Sequence, residues 1–141
     1  MVDYFKASTV FFLGDLFHST KNKECDLFET WSKECGLELV LIAGNHDIID
    51  AHNYENIGIQ VVDFLRIDEF LLTHHPTEVE RLFNFSGHIH PGIILRGLGR
   101  GHLKLPCFFQ RKDQMILPAF GTFTGLGIMK PQEGDLIYAV T

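Results

Sequence analysis

The sequence has few cysteines and no long apolar run, which argues against a disulfide-rich protein and against a membrane-spanning protein. Its three cysteines, Cys25, Cys35 and Cys107, show no Cys-x-x-Cys spacing and cannot all pair with one another. Cys25 and Cys35 lie ten positions apart on one predicted helix, which is too far for a disulfide if that helix is continuous. We therefore expect free thiols in a reduced, cytoplasmic protein. No stretch approaches the roughly 20 apolar residues that span a bilayer, and no membrane partner is expected.

Positive charge is also scarce, because 12 Lys and Arg residues face 18 Asp and Glu residues for a formal net charge of −6. A protein of this charge does not attract nucleic acid through its overall field. One segment of 17 residues has the opposite balance and contains Arg96, Arg100, His102, Lys104, Arg111 and Lys112. Two interpretations are open: a solvated loop and hairpin, or a small positive rim that receives a phosphate-bearing substrate.

Apolar residues are abundant instead, at 45% of the chain with 13 phenylalanines. A chain of 141 residues with this composition is expected to form a single domain, residues 1–141, around a substantial core. A strand at residues 9–13, a helix at 23–35 and a strand at 37–43 predict a parallel pair with a right-handed crossover. On the helix, the spacing of Leu27, Phe28, Trp31 and Cys35 predicts a face that packs on a sheet.

The rest of the chain is predicted to be mainly β. Residues 60–66 and 69–73 are predicted strands joined by a turn near residues 67–68, and residues 77–82 are a predicted short helix. Further strands are predicted over residues 83–86, 93–95, 103–110, 115–117 and 136–140. The expected architecture is two packed sheets with helices outside them.

Four polar clusters each follow an apolar run that is predicted to be a strand. They are Gly14-Asp15-Leu16-Phe17-His18, Gly44-Asn45-His46-Asp47, His74-His75-Pro76 and Gly87-His88-Ile89-His90. Loops at successive strand ends converge on one edge of a sheet. Asp, Asn and His together form the ligand set of a divalent metal such as Mn, Fe or Zn. The arrangement predicts a metal-assisted hydrolase.

The Gly-Asn-His-Asp cluster is the most specific of the four. Asn45 offers a neutral carbonyl oxygen to a metal, and His46 can donate a proton. Asp47 can orient that imidazole and raise its basicity. Asp15 is less specific, because an Asp at such a position can also be a helix cap or a turn residue.

The paired histidines extend the candidate site. In an extended backbone His74 and His75 point to opposite sides, so only one is expected to face the metal and the other to meet substrate. His88 and His90 are two positions apart and would share one face of an extended segment, so both can reach one centre. His52 and His102 lack such a context and are predicted to be surface residues.

The chain carries four motifs in an order that resembles that of the calcineurin-like metallophosphoesterases. They are Gly-Asp-x-x-His, Gly-Asn-His-Asp, a single His and Gly-His-x-His. Flanking segments resemble the DNA ligase-associated branch of that superfamily, and they lie at residues 13–19, 72–76, 86–91, 106–108 and 117–125. The resemblance extends from about Thr9 to the end of the chain. It implies an α/β fold, a four-layer α/β/β/α sandwich with two mixed sheets and a two-metal site at the strand ends.

The resemblance also implies an activity and its partners. The expected reaction is hydrolysis of phosphodiester bonds, with nucleotide 2′,3′-cyclic phosphodiesters as the expected substrate class. The expected cofactor is a divalent metal, with Mn as the first choice and Fe, Zn or Ni as alternatives. A small phosphodiester or nucleotide is the expected substrate partner, DNA-repair proteins are partners by analogy, and a homo-oligomer is left open.

The resemblance assigns metal ligands by position. Asp15 would bridge both metals, and Asn45, His74 and His88 would complete the shell of one metal. His90 would serve the other metal. Two metals held close together clamp the phosphoryl oxygens and lower the pKa of a bridging water.

The same comparison assigns the remaining roles. His46, held by Asp47, would protonate the leaving oxygen or stabilise the charge that develops on the phosphoryl group. His18 and His75 are the candidate substrate-binding residues.

The sequence departs from the family pattern at its amino terminus. The family opens with a strand that ends in Asp-x-His, whereas here only Asp3 precedes Asp15 and no His precedes His18. The resemblance therefore implies an amino-terminally truncated member without its first strand, with one metal site reduced to Asp15 and His90. Two hypotheses follow: a metal-dependent phosphodiesterase, or a catalytically impaired or inactive metal-binding or interaction domain in a DNA-repair-associated complex.

Overall fold

The computed structural model describes the chain except for residues 1, 18–22, 46, 48–50, 98–100 and 122–123. It divides into two compact units, an amino-terminal unit of Met1–Leu65 and a carboxy-terminal unit of Arg66–Thr141. A single domain over residues 1–141 stays a prediction. In chain order the elements are α1 Val2–Phe5, β1 Thr9–Phe12, α2 Lys23–Glu34, β2 Glu38–Ile42, α3 Ala51–Asn56, β3 Ile59–Val62, β4 Leu65–Ile67, β5 Phe70–Thr73, β6 Phe83–Ser86, β7 Pro91–Arg96, β8 His102–Arg111, β9 Gln114–Ile116, β10 Gly127–Ile128 and β11 Leu136–Ala139.

The amino-terminal unit contains a three-stranded sheet in the order β1-β2-β3. Both strand pairs are parallel, and the pairing of β1 with β2 confirms the prediction from the strand–helix–strand pattern. The central strand β2 is buried from Leu39 to Ile42, because a parallel sheet is covered on both faces and its middle strand is continuously apolar. Leu39 and Leu41 form the core of this unit with Tyr54 and Ile59.

Helix α2 is confirmed, but its predicted apolar face is partly wrong. Phe28 and Cys35 pack against the core, whereas Leu27 is 73% exposed. The buried side instead runs through Cys25, Phe28 and Cys35, which recur at helical spacing. Gly36 has a φ of 65°, and a glycine in this left-handed conformation commonly follows the end of a helix.

The carboxy-terminal unit is built around an eight-stranded sheet in the order β10-β7-β8-β9-β6-β5-β4, with β11 also paired to β8. The sheet is mixed, because β5, β6 and β9 run parallel while β7–β8 and β8–β9 are antiparallel. The long strand β8 bonds β7 near its start, and both β9 and β11 near its end. Its buried residues Cys107 and Phe109 form a core with Ile116.

Two predicted elements are wrong. Residues 60–66 are not one strand, because β3 ends at Val62 in the amino-terminal sheet and β4 begins at Leu65 in the other sheet. Residues 77–82 do not form a helix. Arg81 has a φ of 64°, which a right-handed helix excludes, and the segment makes only a turn-like bond from the Leu82 N–H to the Val79 carbonyl.

The sequence patterns did not predict several short elements, among them α1, α3 and β10. Helix α3 has a largely polar sequence without a repeating apolar stripe, and Tyr54 is its buried residue in the core. A mixed α/β fold with two sheets is confirmed, and the four-layer stacking stays a prediction.

The cysteine prediction is also confirmed. Cys25 and Cys107 are buried, Cys35 is partly buried, and all three are free thiols. Burial raises the pKa of the Cys107 thiol, which keeps it protonated and unreactive. Within the described residues, no helix has the length and apolar character that crossing a bilayer requires.

Candidate metal and catalytic residues

Three imidazoles converge in the carboxy-terminal unit. Ligand atoms of His74, His75 and His88 all lie within 4.8 Å of one another. The His88 Nδ1 and His74 Nε2 atoms are 3.0 Å apart, and the rings of His75 and His88 are separated by 4.0 Å between centroids. His74 is 4% exposed, His88 is partly buried and His75 is exposed. We call these residues the histidine cluster.

The expectation that His74 and His75 point to opposite sides is wrong. Strand β5 ends at Thr73, and the two histidines lie in a bend, so the alternation of extended backbone no longer applies. The hydroxyls of Thr73 and Thr77 both donate to the His75 carbonyl, at 2.6 and 2.9 Å. The Gly87 N–H donates to the His74 carbonyl at 3.1 Å, which ties the two histidine loops together.

A buried amide holds this bend in place. Asn84 is 1% exposed, and its Nδ2 donates to the Leu71 carbonyl at 3.0 Å and to Thr73 Oγ1 at 2.8 Å. Its Oδ1 accepts the Thr77 N–H at 2.9 Å. Asn84 therefore connects strand β6 to both sides of the segment that carries His74 and His75. The motifs do not single it out, although an amide inside an otherwise apolar strand is a recognisable signal.

His88 and His90 do not share the face of an extended strand. Their φ angles are 62° and 51°, which places both in the left-handed region. The Ile89 N–H donates to the Gly87 carbonyl at 2.7 Å and closes a tight turn between the two imidazoles. Among the described residues, the histidine cluster includes His88 but not His90. The expectation that the two share one extended face is therefore wrong, and the assignment of His90 as a metal ligand stays a prediction.

The segment around His90 is held by strand β10. The Gly127 N–H donates to the His90 carbonyl at 2.9 Å. A Cβ at Gly127 would collide with the carbonyl oxygen of Ile89. Glycine is therefore required where β10 passes the His88–His90 turn.

In the amino-terminal unit, the carboxylate of Asp47 organises the loop that carries Asp15. Asp47 Oδ2 accepts the N–H groups of Asp15 at 3.0 Å and Gly44 at 2.7 Å. Asp47 Oδ1 accepts the Leu16 N–H at 3.0 Å and the Tyr54 hydroxyl at 3.1 Å. Successive backbone N–H groups that bind one anion form a nest. Asp47 thereby holds the turn at Asp15, a role that the motif alone does not reveal.

The backbone of this turn needs such support. Gly14 and Asp15 have φ angles of 88° and 54°, and the left-handed conformation is uncommon for Asp. A Cβ at Gly44 would collide with the carboxylate and the backbone N of Asp15. The glycine of the Gly-Asn-His-Asp motif is therefore required by close approach of the two loops.

Tyr54 is a second residue that the motifs do not single out. It is 1% exposed and packs in the core of the amino-terminal unit. Burial, with the adjacent Asp47 carboxylate, raises the pKa of the Tyr54 hydroxyl well above its ordinary value. The hydroxyl therefore remains a donor to Asp47. An aromatic residue within the polar segment of α3 is the sequence signal for this contact.

Other predicted site residues have less structural context. His46 and His18 lie outside the described residues, so the pairing of Asp47 with His46 and the role of His18 stay predictions. Asn45 is described and exposed, at the turn after β2.

Among the basic residues of segment 96–112 that the structure describes, Arg111 and Lys112 are set apart from the rest. Arg111 donates to both carboxylate oxygens of Asp135, at 2.9 and 2.6 Å, and this hydrogen bonding raises the pKa of the guanidinium further. Lys112 lies in the turn after β8, at the end opposite His102. Arg100 is outside the described residues.

The geometry of the histidine cluster fits a divalent metal. Two imidazole nitrogens bound at about 2.1 Å and at right angles around one ion are about 3.0 Å apart. The His74 Nε2 and His88 Nδ1 atoms are separated by 3.0 Å. Imidazole is a ligand suited to Zn, Fe and Ni, and it also occurs in mixed shells with oxygen ligands.

The comparisons with known proteins support this fold. No protein-family model and no curated protein matches the chain. Among solved structures it is similar to the nuclease MPE of Pseudomonas putida, with 34% sequence identity and a TM-score of 0.79. The match covers 94% of this chain and 66% of the nuclease, so the chain spans just under two thirds of its length. The fold is therefore of the metallophosphoesterase type, and the DNA ligase-associated branch stays a prediction.

Proposed function

We propose that this chain is a metal-dependent phosphodiester hydrolase. The observation that carries the proposal is the histidine cluster, whose ligand atoms lie within 4.8 Å of one another. A bound divalent metal there would polarise phosphoryl oxygens and activate water. The similarity to a nuclease supports the same reaction class, since nucleases hydrolyse phosphodiester bonds.

The ligand assignment combines the cluster with the sequence motifs. We propose that His74 and His88 hold one metal through the nitrogens that face each other at 3.0 Å. The proposal adds Asp15 and Asn45 as oxygen ligands and assigns His90 to a second metal, on the family resemblance. Mn is the proposed metal, with Fe, Zn and Ni as alternatives, because this set mixes imidazole with oxygen donors.

Further roles go to residues beside these ligands. His75 is the exposed member of the histidine cluster, which favours contact with substrate in addition to packing on His88. His46 is the proposed proton donor to the leaving oxygen. The network around Asp47 supports a positioning role for that residue, because its oxygens accept three backbone N–H groups that set the turn at Asp15 and Gly44.

The proposed substrate is a nucleotide phosphodiester, with the 2′,3′-cyclic class as the first choice. A polynucleotide strand is the second candidate, favoured by the nuclease similarity. The competing hypothesis is an impaired metal-binding or interaction domain associated with DNA repair. The hydrolase requires both metal binding and turnover, whereas the competing domain requires no turnover and binds metal only in its metal-binding form.

An assay with a panel of metals and substrates distinguishes the hydrolase from the competing domain. Purified protein would be assayed with Mn, Fe, Zn, Ni and Mg against 2′,3′-cyclic nucleotides, an oligonucleotide, a small chromogenic phosphodiester and a phosphomonoester. Metal-dependent cleavage of a diester, lost in His88→Ala, supports the proposal. His52→Ala is the matched control, because His52 is exposed and lies outside the candidate site. Metal bound in stoichiometric amounts without turnover of any diester favours the impaired metal-binding domain, whereas absence of metal binding contradicts the hydrolase and favours a pure interaction domain.

A further inference from the structure

The segment from residue 91 to residue 112 has an unusual charge balance. It contains Arg96, Arg100, Lys104, Arg111 and Lys112 but no Asp or Glu, although the formal net charge of the chain is −6. The segment comprises β7, β8 and the residues between them, together with the first residue after β8. Positive charge is therefore concentrated on one hairpin of an acidic protein.

The strand register determines which side chains of this hairpin project from the same face. Strands β7 and β8 are antiparallel, with Arg96 opposite His102 and Ile94 opposite Lys104. Directly opposed residues and residues two apart project from the same side of a strand pair. Arg96, His102 and Lys104 therefore share one face, which we call the basic face. Leu95 and Leu103 are also opposed and project from the other side.

The basic face is available to a ligand. Arg96, His102 and Lys104 are all exposed. In the described part of the chain neither Arg96 nor Lys104 takes part in an ion pair, in contrast to Arg111, which is paired with Asp135. Unpaired cations on one side of a strand pair form an electrostatic footprint for a polyanion.

Strand β7 connects His90, a residue of the candidate site, to the basic face. His90 immediately precedes β7, and Arg96 is the last residue of that strand. Six residues of extended chain span about 20 Å. Phosphates of one strand in a DNA duplex recur every 3.4 Å or so, and about six of them would cover this distance. A cyclic mononucleotide is too short to reach from His90 to Arg96, whereas a polynucleotide strand is long enough.

We propose that the basic face binds the sugar-phosphate backbone of a nucleic-acid strand whose scissile bond lies at the candidate metal site. This inference rests on the proposed function and extends it to substrates several nucleotides long. Phosphate contacts of this kind position a strand without reading its sequence. A membrane surface is disfavoured, because the exposed apolar residues Leu95 and Leu103 project from the opposite side, and Ile94, which shares the basic face, is half-buried.

Removal of two charges from this face tests the proposal. In Arg96→Gln/Lys104→Gln, the slope of log affinity against log salt for a single-stranded oligonucleotide is expected to become shallower by about 1.4, since each phosphate contact contributes about 0.7. If affinities converge at 1 M salt, this difference corresponds to about 25-fold weaker binding at 0.1 M salt. Lys112→Gln/Lys130→Gln removes the same charge from exposed positions away from the basic face and is the matched control.

A second measurement uses substrate length. The rate constant kcat/KM of the parent protein should rise with oligonucleotide length up to about six nucleotides, and the basic-face double variant should lose this rise. Both proteins should hydrolyse a small chromogenic phosphodiester equally well. An equal loss of affinity in the control double variant would overturn the proposal, as would rates independent of length.

The outcomes also separate this inference from the proposed function. Turnover of the small diester without measurable oligonucleotide binding overturns the inference alone. Oligonucleotide binding without hydrolysis under any metal overturns the proposed function, and with it the placement of the scissile bond. Equal binding to anionic phospholipid vesicles, lost in the same double variant, would overturn the assignment to nucleic acid.

Discussion

The hydroxyl of Tyr54 donates a hydrogen bond to Asp47 Oδ1 across 3.1 Å, seven residues along the chain. The same carboxylate accepts the backbone N–H groups of Asp15, Leu16 and Gly44. A buried aromatic residue of α3 is thereby connected to the turn that carries the first candidate metal ligand. Core packing and site geometry depend on the same contact.

Tyr54→Phe should lower the free energy of unfolding by about 1–3 kcal/mol, because it removes a hydrogen bond to a charged group without changing the buried ring. Chemical denaturation would measure the change. Tyr4→Phe is the control, since Tyr4 is 83% exposed. Equal stability of the Tyr54→Phe variant and the parent would contradict the contact.

The same variant should change the pH dependence of stability. The folded state raises the pKa of Tyr54 above its ordinary value of 10.0, so the folded state holds this proton more tightly than the unfolded chain does. The stabilising contribution is therefore complete below pH 10 and is lost as the pH rises above it. The stability difference between the parent and Tyr54→Phe should shrink over that range. A difference that stays constant at alkaline pH would exclude this linkage.

Asp47→Asn should destabilise the protein by about 3 kcal/mol or more. In the parent protein both Asp47 oxygens accept hydrogen bonds, and in either orientation of the asparagine amide an NH₂ group would replace one of these oxygens and face its donors. Metal affinity should fall with it, since the turn at Asp15 loses its anion. The measurements are denaturation and metal titration. If Asp47 served only to orient His46, turnover would fall while stability and metal affinity remained unchanged. That result would refute the positioning role.

Asn84→Asp should weaken metal binding by the histidine cluster. The substitution keeps an acceptor for the Thr77 N–H but removes all three donations of the amide, to the carbonyls of Leu71 and Phe85 and to Thr73 Oγ1. The cobalt absorption spectrum, recorded at a temperature where the variant is fully folded, would report the geometry of the ligands. Asn53→Asp is the control at an exposed position. A parental spectrum and affinity in Asn84→Asp would show that Asn84 stabilises the sheet without positioning the cluster.

His46→Ala should lower turnover by roughly 10²–10⁴-fold, as expected for loss of a general acid, and should leave metal content near that of the parent. Metal analysis and steady-state kinetics on one preparation would provide both values. Loss of metal together with activity would make His46 a ligand instead. The experiment depends on a preparation with measurable phosphodiesterase activity.

Local sequence patterns were sufficient to predict most of the longer elements and to identify the side chains that carry the chemistry. Strand β1, helix α2 and strand β2 follow from continuous apolar runs and a helical repeat, which are local patterns. The ends of β5 and β6 place polar residues directly after apolar ones, and the histidine cluster lies there. The free cysteines also follow from their number and spacing.

Which of those side chains lie together depends on contacts between segments that are distant in the chain. His75 joins His74 and His88 because the backbone bends after Thr73, and hydrogen bonds to Asn84 from a neighbouring strand hold that bend. Periodicity assumes an extended or helical backbone and cannot foresee a left-handed residue such as His88.

The tertiary structure also decided the environment of charged groups. Arg111 and Arg96 belong to one basic stretch in the sequence, yet Asp135 from a later segment pairs with Arg111. The sequence suggests only His46 as a partner of Asp47, yet in the structure the Asp47 carboxylate holds the turn at Asp15, 32 positions away. Composition and spacing identify the ionisable groups. Contacts between residues far apart in the chain determine their partners, because such contacts depend on strand order and packing that no local segment contains.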